Sequence, residues 1–259
     1  MLRITEELWK FRLLVYALVA RHLRARYRGS ILGFMWSFLN PLCLIAVYSL
    51  VFKYYIRFDE VEHYTVFMFV GLLPWIWFSS GLIESTSSIS SGGSLITKAI
   101  FPAHILPVVS VITNLVHFLL ALPLLFILMI ISGISIGAEI VLLPLIIFLQ
   151  LLFMIGISLT LSSLNVYYRD IQHILGNLIT LWFFLCPIIY PASSVPERFK
   201  LTLILNPMAQ LIEMYHQLLL GGEIPSLKAI CLLAGLSFVL IWAGSWIFNR
   251  YRDQFAESI

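Results

Sequence analysis

Long uncharged apolar stretches alternate with short polar breaks along nearly the whole chain, the pattern of helices that cross a lipid bilayer. Six such stretches are expected to span, at about 29–52, 66–88, 105–131, 140–166, 171–190 and 229–248. Each suits a hydrocarbon core of ~30 Å, which needs ~20 residues at a rise of 1.5 Å. Pro107, Pro123 and Pro144 fall within or near span ends, where neighbouring helices can satisfy freed carbonyls. The longest connection, 191–228, contains two amphipathic stretches too short to cross, RFKLTLIL (198–205) and PMAQLIEMYHQLLL (207–220), split at Asn206-Pro207. They are expected to form short helices that dip towards the bilayer or lie on its surface, as elements that line or cap a pathway do. The expected fold is therefore an all-α membrane protein. An amphipathic interfacial helix occupies 1–28, and a transmembrane domain with six helices occupies 29–259.

Composition sharpens this reading. Of 259 residues, 61% are hydrophobic and only 11% are Asp, Glu, Lys or Arg, against roughly 25% in ordinary soluble domains. The mean hydropathy is +0.98. A soluble fold so poor in charge would expose large apolar patches and aggregate. A cytosolic enzyme, a nucleic-acid reader and a disordered tail are excluded. Cys43, Cys186 and Cys231 lie far apart inside apolar runs, which suits packing and not a disulfide framework or a zinc site.

Charge placement sets the expected orientation. Seven of the sixteen Lys and Arg residues lie in 1–28. With six crossings, one side carries eleven of the sixteen and the other five, so both termini are expected in the cytoplasm. Charge recurs through the apolar N-terminal stretch and no small-residue cleavage site follows, so no cleavable signal is expected there. On one helix over 2–28, Arg3, Lys10, Arg21, Arg24 and Arg28 fall within about 60° of one another. Ile4, Leu8, Phe11, Val15, Leu18 and Val19 gather opposite. This suits a helix lying in the membrane surface, each basic residue contributing ~1 kcal/mol near anionic lipid. The stripe serves as a topology signal, and it also suits binding to a partner subunit or a phosphate-bearing substrate.

The usual catalytic signatures are missing. No G-x-x-x-x-G-K-[ST] loop occurs, since Gly92-Gly93 followed by Lys98 has the wrong spacing. Any ATPase must be another chain. No H-E-x-x-H or paired-Cys motif appears, and no metal is expected; Asp59, Glu60, Glu62 and His63 read as a solvated outer loop. Ionisable residues within spans mark ion or proton pathways. Here only Glu84 sits near a span's inner end, with Glu139 and Lys228 flanking spans, which counts against ion-coupled transport. Aromatic residues are abundant instead. Phe34, Tyr48, Phe52 and Tyr55 share one helical face, with Trp36 and Asn40 on an adjoining strip, and Trp182, Phe183 and Phe184 lie in the fifth span. Aromatic rings stack on sugar faces, so these residues suit a carbohydrate path. Interfacial belting and lipid or helix packing suit them as well.

The stretch RHLRARYRGSILGFMWSFLNPL (21–42) resembles the start of the first span in ABC-2 type polysaccharide export permeases, which include O-antigen exporters of the Wzm type and teichoic acid exporters. Tyr27, Arg28, Ser30, Leu32, Gly33, Trp36, Pro41 and Leu42 match their pattern. NVYYRDIQHIL (165–175), PIIYP (187–191) and LNPM (205–208) follow in the family's order. The resemblance covers nearly the whole chain and implies two permeases paired with two separate ATPase subunits in a bacterial cytoplasmic (inner) membrane. Together they would move a polyprenyl-pyrophosphate-linked polymer outwards, with no cofactor on this chain and ATP and Mg on the partner.

By the same resemblance, segment 92–104 is a coupling helix for the ATPase, with Thr97, Lys98, Phe101 and Pro102 as contacts. Tyr168, Arg169 and Asp170 lie in the other cytoplasmic turn, where Arg169-Asp170 also suits a topology charge with a helix cap. Segments 197–205 and 207–220 resemble gate helices. Arg21, Arg24 and Arg28 would meet the substrate's pyrophosphate, which guanidinium groups bind bidentately. The rival readings are a related permease for a drug or small lipid, a membrane enzyme acting on polyprenyl-linked sugars, and a structural membrane scaffold.

Overall fold

A computed structural model describes residues 6–7, 9–55, 61, 63–92, 102–252 and 255. Most of the described residues are helical, and none of them is in a strand. In chain order the α-helices are α1 (Arg12–Tyr27), α2 (Trp36–Ser49), α3 (Tyr64–Ser91), α4 (Ile105–Ile131), α5 (Leu143–Tyr167), α6 (Asp170–Phe184), α7 (Lys200–Leu205), α8 (Pro207–His216) and α9 (Leu227–Tyr251). Among these residues four helices are long and apolar enough to cross a bilayer: α3, α4, α9, and α5 extended at its start to Ala138 by a 3-10 turn.

The first and fifth expected spans are shorter as helices. Gly29 and Gly33 take left-handed backbone (φ +80° and +46°), so the chain bends before a 3-10 turn and α2 begins at Trp36. After Ser49 the helix continues as a π-turn, Leu50–Tyr55. The fifth stretch stops at Phe184. Pro187 disfavours helical backbone at Cys186, and the chain turns there, with the Ile188 amide donating to the Cys186 carbonyl (2.8 Å). The N-terminal stretch is divided too: Phe11 (φ −97°, ψ 18°) is a turn before α1. Arg3, Ile4 and Leu8 lie outside the described residues.

α3 is the centre of the bundle. Its Phe69, Phe78 and Met68 are fully buried, and α2, α4, α5, α6 and α8 all pack on it. α9 packs on α5 at a glycine contact: a Cβ on Gly156 would stand 2.7 Å from the Ile241 nitrogen, and one on Gly244 would stand 2.5 Å from the Gly156 carbonyl oxygen. Small residues at such crossings let helix backbones approach closely in membranes.

The two short amphipathic stretches do form helices split at Asn206-Pro207, and they differ in burial. α7 leaves Leu201, Ile204 and Leu205 exposed, whereas α8 buries Met208, Leu211, Ile212 and Tyr215 inside the bundle. The Asn206 side-chain oxygen accepts from the Met208 and Ala209 amides and from the Trp182 indole (2.8 Å), while its amide donates to the Leu185 carbonyl. One capping residue thereby joins the end of α6 to the start of α8. Deeper in, Tyr215 donates to Gln150, which donates to the Pro74 carbonyl, and His216 stacks on Phe67.

One end of the bundle gathers Ile89, Ala103, Val166, Phe248 and Phe255 into a small cluster. The ends of α3, α5 and α9 and the approach to α4 therefore share that end.

Candidate functional site

The N-terminal helix does not present its whole apolar stripe to lipid. Leu18 and Val19 are buried against Ile105 and Val109 of α4, with Phe11, Leu14, Val15 and Leu23 packed around them. This contact lays α1 along the first half of α4 and turns its last residues inward. Arg26 forms an ion pair with Glu84 of α3 and also donates to Asn114 Oδ1 (3.4 Å). Asn114 in turn donates to the other Glu84 oxygen (2.8 Å) and to the Ser110 carbonyl. Three helices are tied by one arginine, one carboxylate and one amide. Each ionic side chain is 36% exposed, so solvent screens part of this attraction.

A second polar knot lies beside the first. The Tyr27 hydroxyl is hydrogen-bonded to Ser37 Oγ, and His117 Nδ1 stands 3.3 Å from both oxygens. Between the two knots is a cavity of about 530 Å³. Tyr27, Ser30, Ser37, Asn40, Ser80 and His117 supply uncharged polar groups to its wall, together with the exposed Trp36 ring and the buried, mutually stacked rings of Trp77 and Phe118. It reaches from Ser80 to Leu73 along α3, about 10 Å at helical rise. Burial first, then the Arg21 and Arg26 charges, holds His22 on α1 below the usual histidine range. Among the described residues no group of three His, Cys, Asp or Glu side chains is placed to hold a metal ion.

The expected site residues separate into distinct places. Trp36 and Asn40 line the cavity. Tyr48, Phe52 and Phe183 form an aromatic cluster that continues through Trp75 to Phe78 and Trp182. Tyr55 and Phe184 are exposed, at 71% and 60%. The side chain of Phe34 lies outside the described part. Arg21, Arg24 and Arg28 are exposed on or just after α1, with Arg24 donating to the Ala20 carbonyl. Thr97, Lys98 and Phe101 lie outside the described residues. Pro102 is described, its carbonyl accepting from the Ile105 amide at the start of α4. Tyr168, Arg169 and Asp170 are exposed in the tight turn between α5 and α6. Asp170 sits in the first turn without a side-chain cap bond, and Asn165 Oδ1 accepts from the Gln172 amide instead.

Sequence reasoning passed over Arg26, Ser80, Asn114 and His117. The signal was present. At 100° per residue Arg26 falls on the apolar face of its helix, where a charge needs a partner. Asn114 and His117 are three apart on one span, and Ser80 and Glu84 four apart on another, so each pair shares a helix face.

Comparison with known proteins bears on the whole chain. Residues 14–220 match the ABC-2 type transporter family. The chain is 44% identical, over the full length of both, to an O-antigen export system permease protein, RfbA, of Myxococcus xanthus. It is 33% identical to a protein of that name from Klebsiella pneumoniae, with 94% of each chain covered. It is 22% identical to the polysialic acid transport protein KpsM of Escherichia coli, over 94% of this chain and 95% of the other.

Proposed function

We propose, from the premise that the chain belongs to the ABC-2 type transporter family, that it is the multi-pass inner-membrane permease of a polysaccharide exporter. It moves an O-antigen-like, polyprenyl-pyrophosphate-linked glycan outwards across the cytoplasmic membrane. Its power comes from a separate ATPase subunit, which carries the ATP and Mg. The observation that carries this reading is the full-length likeness to an O-antigen export permease. The chain itself has no phosphate-binding loop, so the division of labour follows.

In this reading two copies assemble with two ATPase subunits. The chain crosses six times, α2 with its π-turn and α6 making the two short crossings, and both termini are cytoplasmic. The excess of Lys and Arg on that side supports the orientation, as does the gathering of Ala103, Val166 and Phe255 at one end. Thr97, Lys98, Phe101 and Pro102 receive the ATPase push, and Tyr168, Arg169 and Asp170 lie in the other cytoplasmic turn. Arg21, Arg24 and Arg28 face lipid headgroups or the substrate's pyrophosphate. Phe34, Tyr48, Phe52, Tyr55, Trp182, Phe183 and Phe184 border the glycan's route between copies. The Arg26–Glu84–Asn114 knot transmits displacement of α1 to α3 and α4.

Deleting the chain should cause lipid-linked glycan to accumulate on the cytoplasmic side, and restoring it should clear the pool; a cell with unchanged lipid-linked glycan refutes the export reading. Native mass spectrometry should find two copies with two ATPases. With Lys98→Ala and Phe101→Ala together, export should stop while that particle persists. Normal export by the double variant removes the coupling assignment.

A further inference from the structure

The cavity beside α1 has a chemistry that the export reading does not by itself specify. Arg26 is the one charged side chain among its described lining residues, and Glu84 already neutralises it. What remains is hydroxyl, amide and imidazole groups among aromatic rings and the aliphatic side chains of Pro41, Leu73, Ile76 and Ala121. We infer that this cavity is a recognition pocket for uncharged sugar units of the exported glycan, held within a single permease copy.

Three ligand classes compete for such a space. A phosphate would bring negative charge beside Glu84 with no free cation among the described lining residues to meet it, and burying an unpaired charge is costly. An acyl chain would strip water from the Asn40 and Ser80 side chains and give them no hydrogen bond in return. A sugar ring offers both complements: hydroxyls for these donors and acceptors, and an apolar C–H face for an indole. The volume of about 530 Å³ falls within the range of small-molecule pockets, about 300–1,000 Å³. Access follows from the fold. Trp36 and Asn40 are exposed at the rim on α2, so a glycan reaches the cavity from that side without parting α3 and α4. Trp77 is fixed in the opposite wall by its indole donating to the Val111 carbonyl (3.2 Å), and a fixed wall lowers the ordering cost of binding.

The inference rests on the export reading, and the experiment separates the two. The probe is the glycan accumulated by cells lacking the chain, released from its lipid by mild acid and titrated onto the assembled exporter in nanodiscs. Saturable binding is expected. Asn40→Ala should weaken it about tenfold, the equivalent of 1.4 kcal/mol. Ser80→Phe, which fills the cavity, should abolish it in particles that still assemble, and inorganic pyrophosphate should not compete. Equal binding by wild type and both variants places the glycan elsewhere and overturns the pocket. So does displacement by pyrophosphate. Absence of binding, when the deleted cells do accumulate glycan, refutes the pocket and leaves export standing. If those cells accumulate none, the export reading fails and the pocket falls with it.

Discussion

Arg26 is the residue on which the N-terminal helix turns from a surface element into part of the bundle. Removing one partner of an ion pair leaves the other charge uncompensated, whereas removing both need cost little. Arg26→Ala is therefore expected to lower the thermal midpoint of the purified permease more than Arg26→Ala with Glu84→Gln. Because both side chains are about a third exposed, the difference should be about 1–2 kcal/mol and not the 3–5 of a fully buried pair. One turn earlier, His22 adds an acid-sensitive contribution. Its folded pKa is depressed, so its share of stability is present above the ordinary value of 6.5 and is lost as pH falls through the folded value. Thermal midpoints at pH 7.5 and pH 5 should fall further apart in wild type than in His22→Gln.

At the scale of elements, the α5–α9 crossing is the contact least tolerant of change. Gly244→Leu places atoms against the Gly156 carbonyl and Thr160, and overpacking of this kind costs typically 1–3 kcal/mol. Gly235 on the same helix has open space around its would-be Cβ, so Gly235→Ala should leave the midpoint unchanged or raise it slightly. A detergent melt of both variants checks the contrast. Four spans were legible in the sequence to within three residues, because bilayer thickness and hydropathy together fix both ends of a long apolar helix. The first and fifth were not, since their limits depend on left-handed glycines and on Pro187, which a hydropathy window averages away. The split at Asn206-Pro207 was visible from local chemistry. The burial of α8 was not, because an amphipathic face reads the same whether protein or lipid covers it.

For the whole molecule, an all-helical membrane architecture and an exporter's division of labour could be read from composition and ordered motifs. The cavity could not, since its wall comes from four segments that no single periodicity relates. α2 and α6 expose Leu44, Val47, Ile174, Leu178 and Leu181, and in the proposed dimer these faces meet the second copy and lipid. The Arg26–Glu84 pair also bears on how the protein is made. Synthesis delivers Arg26 before Glu84, and α3 carries its carboxylate into the translocation machinery when the arginine is already available. The acidic residue thus has a neutralising companion 58 residues upstream of it in the chain, so the pairing needs no segment made after α3.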